Sequence, residues 1–177
     1  MEIYAENDKV ILRPLVEEDL PALVRLVNDP LVYRYEPDFL EERQGTPEEA
    51  LQRIRQMDLE RDRHCILGIC EKDRPGEMIG LMEFYDYKPS GKVICLGDRL
   101  RSDMWGRGLG SSCIRAAIEI IQTYTKAELV TGHILPVNLG SVKTAARNGF
   151  EYLLTKEESW GKDKNLKTEV FILDIVR

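Results

Sequence analysis

The segment Trp105-Gly106-Arg107-Gly108-Leu109-Gly110-Ser111-Ser112 is the stretch of this sequence best suited to chemistry. Three alternating glycines let the backbone turn tightly with no side chain in the way. The residues that follow have a helical apolar spacing, so the segment opens a helix. The N–H groups of a first helical turn have no partner inside the helix. They also lie at the positive end of its macrodipole. The amides of Arg107, Gly108, Leu109, Gly110 and Ser111 are therefore placed to receive an anion. On the glycines alone, a tight turn without any ligand explains the segment equally well.

Spacing narrows the choice of anion. A mononucleotide loop of the GxxxxGK[ST] type needs a lysine after its glycines, and none follows here. A dinucleotide fingerprint needs GxGxxG, whereas these glycines read GxGxG. Arg99, Arg101 and Arg107 cluster around the loop in a chain that is otherwise acidic, which favours a phosphorylated ligand.

Other chemistry finds less support. The four cysteines, Cys65, Cys70, Cys95 and Cys113, include no CxxC pair, and the only histidines are His64 and His133. No metal site is expected from that set; four half-buried thiols in a reduced compartment are. The two histidines read as strand-edge residues outside any Ser/His/Asp or Cys/His pattern. With 25 basic and 31 acidic side chains the formal net charge is −6. A nucleic acid is thus a poor partner, and a cationic amine suits the chain better.

The elements that position the loop follow from periodicity and punctuation. Val10-Ile11-Leu12-Arg13 reads as a strand. Leu20, Leu23, Val24 and Val27 give a helix that Asn28-Asp29-Pro30 stops. Residues 31–45 have no clear period. Thr46-Pro47-Glu48-Glu49 is a capping box with proline at the first helical position, opening a helix to about Arg61. His64 to Glu71, Met78 to Tyr85 and Lys92 to Leu100 read as an antiparallel meander, with turns at Asp73-Arg74-Pro75-Gly76 and Lys88-Pro89-Ser90-Gly91.

A helix from about Gly108 to Tyr124 comes next, then a strand from Glu128 to Ile134. Asn138 caps a short helix that Gly149 ends in a left-handed position. Phe150 to Glu157 and Lys167 to Val176 close the chain around a Gly161-Lys162-Asp163 turn. The order predicts one mixed α/β domain over residues 1–177, its central sheet largely antiparallel and flanked by helices. The longest apolar run, Cys65 to Cys70, is far short of the roughly 20 residues a membrane span needs. Met1 to Lys9 lacks the basic and apolar regions of a secretory signal, so no membrane partner and a cytoplasmic location are expected.

In this setting the chain resembles the GNAT superfamily of acyl-CoA-dependent N-acetyltransferases. Trp105-Gly106-Arg107-Gly108-Leu109-Gly110 matches that family's (Q/R)-x-x-G-x-(G/A) signature, with tryptophan in place of the first polar residue. The tryptophan form is similar to the branch of ribosomal-protein N-terminal and spermidine acetyltransferases. Val10 to Leu15 followed by Glu18-Asp19-Leu20 resembles the family's opening strand and helix, and Asn138-Leu139-Gly140-Ser141 ending in Asn148-Gly149-Phe150 resembles its closing motif.

The resemblance implies transfer of an acetyl group from acetyl-CoA, the cosubstrate, to a primary amine on a small molecule or a peptide, by direct attack in a ternary complex. The pyrophosphate would sit on the loop amides of Arg107 to Ser111. The pantetheine arm would run as an extra strand along the backbone of Leu100, Arg101 and Ser102. An oxyanion donor is expected from the same strand. Some members carry a glutamate at the position of Ile94, and many a tyrosine at that of Ala145; both groups are missing here. Glu83 on the third strand and Asp98 on the fourth are the carboxylates left near the expected cleft. Glu83 is the preferred base, its pKa raised among Phe84, Tyr85 and Leu96. A solvated strand residue is the other reading of each.

By the same resemblance Ser141 donates to the departing sulfur, and Asn138 binds the pantetheine arm as well as capping its helix. Acceptor selection falls to Leu31 to Gly45, where Tyr33, Tyr35, Glu36, Asp38, Glu41 and Glu42 suit a cation, and to the surroundings of Trp160. A homodimer is compatible with this branch. A GNAT-like domain that binds CoA or a metabolite without turnover is the competing reading, since the glutamate and tyrosine are both absent.

Overall fold

The structure, a computed structural model, describes residues 4–176; Met1 to Ile3 and Arg177 lie outside it. Eight strands form one sheet in the order β1-β2-β3-β4-β5-β6-β8-β7. They are β1 (Ala5–Glu6), β2 (Val10–Arg13), β3 (Cys65–Glu71), β4 (Arg74–Lys88), β5 (Val93–Leu100), β6 (Leu129–Ile134), β7 (Glu151–Trp160) and β8 (Asp163–Asp174). The helices are α1 (Leu20–Val27), α2 (Pro47–Gln56), α3 (Leu59–Asp62), α4 (Leu109–Tyr124) and α5 (Leu139–Arg147). Every neighbouring strand pair is antiparallel except β5 and β6.

Two cores sandwich the sheet. On one face Met82, Phe84, Ile94 and Leu96 pack against Cys113, Ala117 and Ile121 of α4. On the other, Ile11, Ile66 and Leu81 pack against Leu23 and Leu26 of α1 and Leu51 and Ile54 of α2. Alternation along each strand assigns the side chains to these layers. Ile94 and Ala145, which stand where a glutamate and a tyrosine are missing, are buried in the α4 core.

Most predicted elements are present, with physical reasons for the differences. The Thr46 box forms as expected, Thr46 Oγ1 accepting from Glu49 N–H. The helix stops at Gln56, not near Arg61, because Met57 is extended and Asp58 starts a second cap, accepting from the Glu60 and Arg61 amides. The first meander turn sits at Lys72-Asp73 and not at Asp73 to Gly76. The pairing jumps from Glu71↔Arg74 to Cys70↔Met78, so a bulge holds Pro75 off the ladder where its missing N–H costs nothing. The short strand β1 pairs Ala5 with Leu12; two residues carry too little periodicity to predict it.

Candidate active site

The decisive feature of the sheet is the parting of β5 from β6. They pair over only three positions, Val93↔Leu129, Ile94↔Val130 and Cys95↔Thr131, and β5 then runs on to Leu100 paired with β4 alone. Arg101 N–H donates to the Ile79 carbonyl directly opposite, at 2.9 Å, so odd-numbered β5 residues bond β4. Antiparallel alternation turns the N–H and C=O of Leu96, Asp98 and Leu100 towards the gap. That gap is an open backbone edge of the kind an extended ligand pairs with.

The glycine loop closes one end of this gap. Gly106 and Gly108 both have φ of +75°, the left-handed region, and Gly108 is the residue before α4. A Cβ at Gly106 would meet nothing within 4 Å, which leaves the turn open on that side. Gly110 is different: a Cβ there would lie 3.6 Å from Thr144 Cγ2, an ordinary contact that α5 could accept. Trp105, the odd residue of the signature, donates its indole N–H to the Leu100 carbonyl at 2.8 Å and so ties the turn to the end of β5.

The arginines expected around a phosphate have other partners. Arg99 is buried with Glu42 and Glu83, and Arg101, itself buried, pairs with the half-exposed Glu77 and the exposed Asp103. Arg107 pairs with Glu71 but is half exposed. Sequence reading missed Lys9, whose Nζ lies 3.5 Å from the Arg107 carbonyl and 3.4 Å from a Cβ placed on Gly108. Only the β1-β2 approach to the loop reveals it. Of the backbone expected to hold a pantetheine arm, Leu100 C=O bonds Trp105, Arg101 N–H bonds Ile79, and Ser102 N–H bonds Asp29 Oδ2 at 3.0 Å. The open positions lie further back along β5.

Asn138 caps α5, its Oδ1 accepting from Ser141 N–H at 3.3 Å. Ser141 is half-buried in the first turn of α5, which packs on α4 and β6. The structure thus brings α5 against the start of α4, with Thr144 beside Gly110.

Glu83 lies on the opposite face from α4. Its register partner is Gly97, and a Cβ on Gly97 would be 3.8 Å from Glu83 Oε2, 3.4 Å from Arg99 and 3.7 Å from Tyr85. The absence of that Cβ leaves a floor between these three groups beside the gap. The expected raised pKa of Glu83 is reversed. Burial pushes it up, but the Arg99 guanidinium at 2.5 Å and a hydrogen bond with His64 outweigh burial and hold it at about 2. Asp98 does not share its cleft: the Met82↔Asp98 register puts it on the α4 face, where burial raises it to about 6.

From Glu83 a groove of about 340 Å³ extends over Tyr85 and His64, walled by Leu40, Glu41, Asp62 and Asp86. Arg63 and Asp86 on its rim both have positive φ, 60° and 51°, and β4 is irregular between Tyr85 and Lys88. Such bulges re-aim side chains. Among the described residues no group of three or more His, Cys, Asp or Glu is arranged to hold a metal, and no helix is long and apolar enough to cross a membrane.

Residues 9–151 match the family model described as the acetyltransferase (GNAT) domain. The chain belongs to the GNAT acetyltransferase family. No curated protein sequence matches it. Its fold is that of RimL, the ribosomal L7/L12 alpha-N-protein acetyltransferase solved with coenzyme A, at a TM-score of 0.80 and 19% identity over 99% of this chain and 98% of that one. The Microcin C7 self-immunity acetyltransferase MccE, solved with acetyl-CoA and AMP, superposes at 0.79 with 14% identity over 96% and 94%. Mycobacterium smegmatis RimJ, solved with a CoA-disulfide, does so at 0.78 with 16% identity over 93% and 81%.

Proposed function

We propose that this protein transfers an acetyl group from acetyl-CoA to a primary amine by direct attack in a ternary complex. The observation that carries the reading is the open β5 edge from Leu96 to Leu100, ending at a loop whose two left-handed glycines start α4. Bound acetyl-CoA supplies the activated thioester. The amides of Arg107, Gly108, Leu109, Gly110 and Ser111 receive its phosphates, with Lys9 adding charge. The edge of Leu96, Asp98 and Leu100 aligns the arm and offers an N–H to the developing oxyanion, in place of Arg101 and Ser102, whose backbone N–H groups are already bonded. Asn138 uses its carbonyl for the cap and has its NH2 for the arm.

The acceptor comes from the other face, over Gly97. Glu83, an ionised carboxylate there, adds negative charge that attracts the ammonium. Ser141 offers a hydrogen bond to the thiolate. That thiolate is a tolerable leaving group, since a free thiol has a pKa near 8.5. The acidic groove supports a cationic acceptor, either a peptide N-terminus or a small polyamine. The burial of Ile94 and Ala145 in the core favours a second reading, a domain that binds CoA without turnover.

Thiol release from acetyl-CoA, measured against a panel of N-terminal peptides and polyamines, separates the two. Release above the amine-free rate with at least one panel member supports acetyl transfer. CoA binding with no release for any amine favours the silent domain.

A further inference from the structure

Histidine and glutamate come together here across 19 residues of sequence. His64 Nε2 lies 2.7 Å from Glu83 Oε1, while the other oxygen of Glu83 is held by Arg99 at 2.5 Å. Glu83 is thus pinned at both oxygens, and its own proton affinity is low. The imidazole is the opposite case. Its side chain keeps 27% exposure and lines the groove. A carboxylate bound at Nε2 fixes the tautomer with hydrogen on Nε2, which makes Nδ1 the basic atom.

We propose that His64 accepts the proton that the incoming ammonium must lose, with Glu83 as its positioning residue. The proposal rests on the acetyl-transfer reading above. β3 and β5 stand on either side of β4, about 4.8 Å from it each, and Glu83 both opposes Gly97 and lines the groove with His64, so one intervening water would carry a proton from an amine over Gly97 to His64. The balance is simple. One N–H bond of the ammonium breaks and its proton arrives on Nδ1, leaving a lone pair on the amine. That pair forms the C–N bond, the C–S bond breaks, and the second amine proton ends on the thiolate. The imidazolium then releases its proton to solvent.

The surroundings favour that cycle. Glu83 from β4, Glu41 from the 3-10 turn at Glu41–Arg43, Asp62 from α3 and Asp86 from the β4 bulge face the ring with negative charge; Arg99 and Arg63 oppose them. Burial pushes the imidazole down, but the Glu83 hydrogen bond and charge bring it above its usual value. Groups with a proton affinity near neutral pH are efficient proton acceptors.

The test is acetyl-CoA turnover across pH 5.5–9.5 with a panel of N-terminal peptides and spermine, for wild type, His64→Gln, His64→Ala and Glu36→Gln. CoA titration of each variant reports folding separately. His64→Gln is expected to lose about 10²-fold or more in kcat/KM together with the acid limb of the profile, while CoA affinity holds. Free imidazole at millimolar levels should restore part of the His64→Ala rate, which a merely structural role would not permit. Retention of the acid limb in His64→Gln, or its loss in Glu36→Gln instead, overturns the proposal. If wild type releases no thiol with any amine, the acetyl-transfer reading fails first and this one with it.

Discussion

Arg99 Nη2 sits 2.5 Å from Glu83 Oε2, and its Nε sits 2.5 Å from Glu42 Oε1, all three side chains buried. Two carboxylates thus share one guanidinium, with Tyr33 donating its hydroxyl to Glu42 at 3.2 Å. The pairing ties the connector between α1 and α2 to β4 and β5 beside the groove that Glu83 lines. Removing the cation leaves two buried charges facing each other.

Arg99→Met should therefore cost about 3–5 kcal/mol at pH 7, the usual penalty for breaking a buried pair from one side. The loss should shrink in acid. Glu83 has a folded pKa of about 2 against an ordinary 4.5. Its contribution to stability is full above the ordinary value and fades as pH falls towards 2. Urea midpoints at pH 7 and pH 3.5 check this; an equal loss at both sinks it.

Gly108 and Gly110 look alike in sequence and differ in the structure. Gly108 has φ +75°, so Gly108→Ala should cost about 1–3 kcal/mol of backbone strain and weaken CoA binding. Gly110 lies inside α4 without that restriction, and its new methyl would meet Thr144 at ordinary contact distance. Gly110→Ala should keep or slightly raise stability, since alanine is the better helix former. Urea midpoints with CoA titration calorimetry would show the contrast, and matching behaviour of the two variants would refute it.

Lys9 offers a third test. An ammonium at the loop contributes a charge-assisted bond to a phosphate, and Lys9→Met removes it from an exposed position. CoA should bind about tenfold more weakly, equivalent to about 1.4 kcal/mol, with an unchanged urea midpoint. Unaltered affinity would mean that the lysine only bonds the Arg107 carbonyl.

The sequence is informative where the signal is local. The Thr46 box, the Asn138 cap and the left-handed Gly149 each act within a few residues, and all three are present. What it hides depends on register. Arg99 looks like a phosphate ligand because Arg101 and Arg107 stand near it in the chain; its true partners are 57 and 16 residues away. His64 looks idle until β3 and β4 align Ile66 with Glu83. The raised pKa expected of Glu83 fails for the same reason. Its apolar neighbours are visible in the chain, and the guanidinium that outweighs them is not.

Glu36 makes the last case for a charge balance set by distant residues. It follows the 3-10 turn Val32–Tyr35, half-buried in the same surroundings as Arg99. Burial raises its pKa to about 7; Arg99 opposes that, while Asp98, Glu42 and Glu83 add to it. The folded protein thus holds this proton more tightly than the unfolded chain, whose glutamate titrates near 4.5. Stability linked to Glu36 is complete below that value and falls as pH rises through about 7. Glu36→Gln removes the titration and keeps the shape. Its urea midpoint should exceed that of wild type at pH 8.5, by on the order of 2 kcal/mol in stability, and the gap should close by pH 5. A gap that is the same at both pH values, or a wild type that is the more stable at pH 8.5, would show that Glu36 is ionised in the folded state at no cost.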